Sequence, residues 1–182
     1  MNPVFEQLQN EIARSLEGLS ADQTQLRPAR LPDDGDKWTI QQIVQHLCLT
    51  YSSTDTTIAS RLEKGRPTQA VPTIQQRCAQ LFVTKFRYFP YGRKAPSVVV
   101  PPEAPASPRD QIAGAELSDE TARRLAHTDK ILESACSVFG GKRAASHGVL
   151  GPLSVEQWRR FHLAHGLHHV KQIWAIRHQH HV

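Results

Sequence analysis

Histidines are the residues of this sequence whose type and spacing favour chemistry. The chain has ten of them, and four lie in the short stretch 162–169. His165 and His169 are four positions apart, so a helix would place their rings on one face, about 6 Å from each other. Two such rings can reach one divalent ion, each ring nitrogen lying about 2.0–2.1 Å from it. The spacing therefore predicts a metal-binding pair.

The other histidines of this stretch are weaker candidates. His162 and His168 are each three positions from His165 and could pair with it. His162 and His169, however, are two helical turns apart, roughly 10 Å. The apolar pattern predicts that only His165 and His169 lie on the core-facing side that carries Trp158, and that His168 lies at its edge or is exposed.

A tight site needs a third ligand from elsewhere in the chain. His46 is the best candidate because it lies in the middle of a predicted helix beside apolar neighbours, and His127 and His147 are the runners-up. Cys48 is expected on the other side of the same helix. The HExxH motif is absent and the cluster contains no carboxylate. Since an isolated HxxxH often reflects hydrogen-bonded histidines, the spacing alone also allows an incidental cluster.

Helical periodicity of the apolar residues predicts an all-α protein. Asn2 and Pro3 suit a helix start, and Thr39 and Ser154 each precede a glutamine by three positions, the pattern of a capping box. No alternation with a period of two is long enough to predict more than an incidental strand. We expect helices at about residues 3–18, 39–65, 73–89, 118–140 and 154–176.

Residues 90–116 are predicted to form a long crossover loop rich in proline. A loop of this length is unusual in a compact domain and often has a function, so it is either a lid or a plain connection between distant helix ends. Together with this loop, the helices predict a four-helix bundle. At 182 residues the chain is expected to form a single domain over 1–182.

Composition narrows the class of protein further. The net charge of +5 is modest and spread out, and no nucleic-acid-reading motif accompanies it, so we expect no nucleic-acid partner. Three cysteines without a CxxC motif favour a reducing compartment. The chain has neither a secretory signal nor an apolar run of about 18 residues. We therefore expect a cytoplasmic protein that does not insert into a membrane.

The segment 38–47, WTIQQIVQHL, resembles the pattern W-[ST]-x-x-E/Q-[IL]-x-x-H-[IL] of the DinB-like (damage-inducible) metal-binding superfamily. The segment 165–173, HGLHHVKQI, is similar to HxxxHxxQ[IL], and 148–158, GVLGPLSVEQW, resembles the entry to the last helix in a subgroup of unknown function. The patterns occur in the family's order and cover most of the chain.

The resemblance implies a four-helix bundle in which His46, His165 and His169 hold one divalent ion, commonly zinc, nickel or iron. Family members are often homodimers. The characterised members of the family resemble S-transferases and an isomerase that use a low-molecular-weight thiol. The resemblance therefore implies a small-molecule substrate, such as a low-molecular-weight thiol, for this chain.

Three hypotheses follow for the activity. The first is a metal-dependent enzyme of thiol S-transferase type, or alternatively a hydrolase. The second is a non-catalytic metal-binding or stress-related protein, and the third is a helical module whose histidines are incidental. Five further side chains have two readings each. Arg87, Arg93 and Lys94 are either substrate clamps or plain surface cations. Trp38 and Trp158 are either site residues or core anchors, and we interpret them as core anchors.

Gln172 lies three positions after His169 and is predicted to share its face of the helix. Its amide would either hydrogen-bond a ligand or cap a buried polar cluster, and the sequence does not distinguish the two.

Overall fold

The computed structural model describes residues 1–28, 37–89, 95–105 and 107–182. The chain forms an all-α fold with one small hairpin, as the sequence predicts. No helix in these ranges combines the length and apolar character needed to cross a bilayer. The elements are α1 (Pro3–Leu16), α2 (Ile40–Glu63), α3 (Ile74–Thr84), α4 (Gly114–Phe139), β1 (Arg143–His147), β2 (Gly151–Ser154) and α5 (Val155–His180).

The starts of the helices are set by local hydrogen bonds. At α2 the hydroxyl of Thr39 accepts a bond from the Gln42 amide at 3.1 Å, and the Gln42 side chain accepts one from the Thr39 amide at 3.0 Å. Thr73 begins α3 and Ser154 begins α5 with the same capping box. These bonds satisfy N–H groups that a helix start otherwise leaves unpaired. The predicted starts of α2 and α5 are therefore confirmed.

The long helices α1, α2, α4 and α5 pack around one hydrophobic core. In α1 the buried residues recur every three or four positions, as the sequence predicts. Burial of each such aliphatic or aromatic side chain contributes about 1.5–3 kcal/mol. Helix α1 lies so close to α5 that a methyl group on Gly166 would overlap the side chain of Leu8. Glycine at this position thus fixes the approach of the two helices.

The sequence predicts no more than an incidental strand, and the structure has one short β-hairpin, between α4 and α5. Strands β1 and β2 pair antiparallel, with Ala145 opposite Leu153 and His147 opposite Gly151, and a register shift follows Arg143. The strands are only five and four residues long. Their buried positions do not alternate, so the period-two pattern that indicates a strand is absent from the sequence.

Two helix boundaries also differ from the prediction. Helix α3 ends at Thr84 rather than near residue 89. Helix α4 begins at Gly114 rather than at Ser118, because the Gly114 amide donates to the Leu19 carbonyl at 2.9 Å. A Cβ at Gly114 would collide with the backbone of Leu16. A contact between distant segments, rather than a capping side chain, therefore sets this start.

Part of the proline-rich crossover runs along the first turns of α2. We call residues 95–105 and 107–113 the strap. It contains short 3-10 turns at Ser97–Val99 and Pro108–Asp110. The strap carbonyls of Pro102 and Asp110 accept bonds from the side-chain amides of Gln42 and Gln41, at 2.9 and 3.2 Å. The crossover is thus attached to the helix that carries His46.

Candidate metal centre

Three histidine rings from two helices meet inside the bundle. His46 lies in the second turn of α2, and His165 and His169 lie on successive turns of α5. The Nε2 atom of His165 is 3.2 Å from Nε2 of His46 and 3.1 Å from Nε2 of His169. The three residues are only 4%, 5% and 6% exposed. The structure thus brings together the residues that the sequence singles out, in an arrangement that could hold a metal ion.

Hydrogen bonds at the outer ring nitrogens fix two of the three tautomers. His46 Nδ1 lies 2.6 Å from the Val99 carbonyl, which can only accept, so Nδ1 carries the proton. His169 Nδ1 donates to Oε1 of Gln172 at 2.8 Å, and the Gln172 amide nitrogen lies 3.2 Å from Nε2 of His168. The Nε2 atoms of His46 and His169 are therefore bare and point toward His165.

The geometry of these nitrogens fits a divalent ion. Bare nitrogens this close repel one another unless a positive species lies between them, and a proton on His165 cannot satisfy both neighbours well. Two nitrogens bound at 2.0–2.1 Å to a tetrahedral ion lie about 3.3 Å apart, close to the two distances observed. Within the described ranges, no carboxylate or thiol joins the three rings at ligand distance.

Gln172 hydrogen-bonds His169 of this cluster, which agrees with the capping role, one of the two predicted for it. Partners of this kind orient a metal-binding histidine and fix its tautomer. The Nδ1 atom of His165 is buried and has no partner among the described residues. His165 is therefore the one ring of the three whose tautomer is free to respond when an ion occupies the site.

Aromatic rings form the walls of the site. Phe161 stacks on His165 with ring centroids 5.5 Å apart and an interplanar angle of 8°, and the Phe89 ring lies 5.0 Å from that of His165. The Trp38 ring lies 4.9 Å from that of His46. Trp38 is half-buried and packs against the core, as predicted, and its contact with His46 makes it part of the site wall as well. Trp158 is buried in the core, as predicted.

Burial keeps the three rings uncharged. Desolvation lowers the pKa of His46 and holds that of His165 well below its ordinary value. It lowers the pKa of His169 to about 3, with a further contribution from the charge that His46 would carry. Metals bind the neutral form of imidazole. At neutral pH the rings therefore already hold the protonation state that a metal requires.

His162 corrects the prediction that only two histidines of α5 face the core. It is fully buried, and its Nε2 lies 3.1 Å from the hydroxyl of Thr54. The rings of Phe5 and Tyr51 lie 5.9 and 5.2 Å from its own. The apolar stripe of α5 is wider than the sequence analysis assumed, since α1 also covers this helix.

The remaining candidate ligands lie outside the triad formed by His46, His165 and His169. His127 is largely exposed and lies 3.9 Å from the Asp55 carboxylate. His147 accepts bonds from the amides of Val149 and Leu150 in the hairpin turn. Cys48 is on the other side of α2, as predicted, with its sulfur 3.9 Å from the Thr121 hydroxyl. None of these three side chains is placed to replace His46 as a ligand.

The predicted cationic clamps gain no support from the structure. Arg87 is exposed in the segment that follows α3. Arg93 and Lys94 lie outside the described residues. A clamp at these positions stays a prediction.

Fold and site now define the class of protein: a helical bundle with a buried three-histidine centre. The family model of the DinB superfamily matches residues 5–173, and the chain belongs to that superfamily. No curated protein and no solved structure matches the chain. The match includes all of α2 and α5 as far as residue 173, and so all three histidines of the site.

Proposed function

We propose that this protein is a metal-dependent enzyme of thiol S-transferase type whose divalent ion is held by His46, His165 and His169. One observation carries the proposal, namely the convergence of three ring nitrogens at 3.1–3.2 Å in the interior of the bundle. The ion would be zinc, nickel or iron, since imidazole ligands suit all three.

Three imidazoles leave at least one coordination position for an exogenous ligand, which is the mark of a catalytic rather than a structural site. A divalent ion there would supply a Lewis acid at which a bound thiol is present as thiolate. The chain's own contribution is to hold three neutral nitrogens in place and to exclude water with aromatic walls. Trp38 and Phe89 perform that second role at the edge of the site, where both rings are half-buried.

The surroundings favour a thiol over water as the nucleophile. A hydrolase commonly uses a carboxylate or another base beside the ion, and no carboxylate joins the triad in the described part of the chain. A thiol needs no such base once it is bound as thiolate, and its sulfur suits walls made of aromatic rings. A metal-dependent hydrolase is therefore the weaker reading. A reducing cytoplasm would supply the low-molecular-weight thiol.

The burial of the triad favours one alternative, a metal-binding protein without catalysis. Rings that are about one-twentieth exposed offer an external substrate little access. In that reading the ion stabilises the bundle or reports on metal supply. Turnover decides between the two functions.

The test begins with protein purified without a nickel column. We expect about one zinc, nickel or iron ion per chain by elemental analysis. The metal-loaded protein is then assayed with several small thiols against a panel of electrophiles, with His165→Ala as the matched metal-free control. Thiol consumption that needs both the ion and His165 supports the enzyme. A bound ion with no turnover supports the non-catalytic reading, and protein without any ion overturns both.

A further inference from the structure

We propose that the strap is a positioning element for the metal centre: its Val99 carbonyl holds His46 in the Nδ1–H tautomer, with Nε2 facing His165. The inference rests on the proposed function, because that function makes the His46 ring a metal ligand. It assigns a role to the crossover, which sequence analysis leaves open between a lid and a plain connection.

The first step of the argument is the bond itself. His46 Nδ1 lies 2.6 Å from the Val99 carbonyl, a short distance for an N–H···O bond. In a neutral imidazole the proton sits on one nitrogen only, and the partner of the other nitrogen decides which. Without this carbonyl, Nε2 could keep the proton and donate it toward His165, and His46 would then offer the centre no lone pair.

The second step is the anchoring of that carbonyl. Val99 ends the short 3-10 turn of the strap, its amide donates to the Pro96 carbonyl at 3.0 Å, and the residue is only 7% exposed. Its neighbour Val98 is 72% exposed. Pro101 and Pro102 follow shortly after, and proline restricts the backbone. The carbonyl is therefore held by a buried side chain on a stiff segment.

The third step is the link from the strap to the start of α2. Gln42 lies one turn before His46 on the same face of the helix. Its Oε1 completes the capping box with Thr39, while its Nε2 donates to the Pro102 carbonyl at 2.9 Å. One side chain thus fixes both the helix start and the strap. Gln76 has the same capping role on α3 and makes no described bond to the strap.

The experiment uses Val99→Ala, with Val98→Ala as its matched control. In the metal-free full-length protein, nitrogen NMR of the histidine rings reports which His46 nitrogen carries the proton. We expect Nδ1–H in the wild type and in Val98→Ala, and a mixture of tautomers in Val99→Ala. Zinc affinity should fall about threefold to tenfold in Val99→Ala, in proportion to the chains whose His46 no longer keeps the Nδ1–H tautomer, and stay within about twofold in the control.

A second pair of variants tests the same inference from α2. Gln42→Met removes the strap bond together with the capping box, whereas Gln76→Met removes a capping box alone. Only Gln42→Met should change the His46 tautomer and weaken zinc binding, while circular dichroism shows both chains folded. Equal losses in the two variants, or weaker binding with an unchanged tautomer, would overturn the positioning role.

The failure of the proposed function gives a different result. If the wild type binds no metal, the function fails, and the tautomer of His46 in the metal-free chain still tests the inference. An Nε2–H tautomer in the wild type would overturn the inference even if zinc binds tightly.

Discussion

Helix α5 buries His162 and His165 one turn apart, and their surroundings give them different properties. His162 faces the hydroxyl of Thr54 and the rings of Tyr51 and Phe5. His165 faces the nitrogens of two other histidines. The comparison teaches that burial alone does not make a histidine a ligand candidate, because the residue across the helix interface decides. Four predictions test how far the two histidines differ.

Metal content should show the largest difference. We expect His165→Ala to reduce bound zinc, nickel or iron from about one ion per chain to none, because only two of three ligands remain and these rarely hold an ion tightly. His162→Ala should keep the ion. Elemental analysis after dialysis against a weak chelator measures both. Loss of the ion in both variants would mean that the two histidines act as one cluster.

The stability of the metal-free protein should show the opposite order. His162→Ala leaves a cavity among large side chains and removes one of the two partners of the Thr54 hydroxyl, at a cost of about 2–4 kcal/mol. His165→Ala should cost less, since it also relieves the crowding of bare nitrogens at the centre. Urea unfolding of both variants in the presence of a chelator measures the difference. A larger loss for His165→Ala would contradict the assignment of the structural role to His162.

The pH dependence of stability should follow His162 as well. Burial, with a further contribution from the charge His147 would carry, lowers the pKa of His162 to about 3, whereas an unfolded histidine titrates near 6.5. The unfolded chain therefore binds the proton first. Stability is complete above pH 6.5 and falls by about 1.4 kcal/mol per unit for each such histidine as the pH drops toward 3. Urea midpoints between pH 8 and pH 4 should decline less steeply in His162→Phe.

The smallest effect on stability is expected at Gly166, which directly follows His165 on α5. Gly166→Ala adds a methyl group against Leu8, which should cost about 1–2 kcal/mol after the better helix propensity of alanine is included. Leu8→Ala makes room for it, so the cost should shrink in the double variant. Equal costs in both backgrounds, measured by urea unfolding, would show that α1 does not press on α5 at this point.

Sequence predicted what depends on neighbours along the chain. The capping boxes at Thr39 and Ser154 involve residues three positions apart, and the two histidines of the HxxxH pair are four positions apart. Both patterns can therefore be recognised from the sequence alone. His46 is predicted as the third ligand from its position among apolar residues of a helix and from the family pattern. The structure places its ring against that of His165.

What sequence reasoning missed depends on contacts between distant segments. The start of α4 is set by the backbone of Leu16 and Leu19. The bond that His46 donates to Val99 ends on a backbone carbonyl. Every residue has such a carbonyl, so the bond leaves no signal in the residue types. The apolar stripe of α3 predicted a helix but not its orientation. Its buried residues are Gln80 and Val83, while Ile74 is 83% exposed.

His46 and His165 are 119 residues apart along the chain. This separation determines the order in which folding and metal binding can occur. In an unfolded chain an ion finds only ligands that are close together in sequence, and these bind it weakly. They are the HxxxH pair, His168 beside His169, and the group His178, His180 and His181. The full chelate arises only after the first and last thirds of the chain have docked, a contact of high order that forms slowly. Metal binding at this site would thus follow folding, and a chelator present during refolding should leave the rate of bundle formation unchanged.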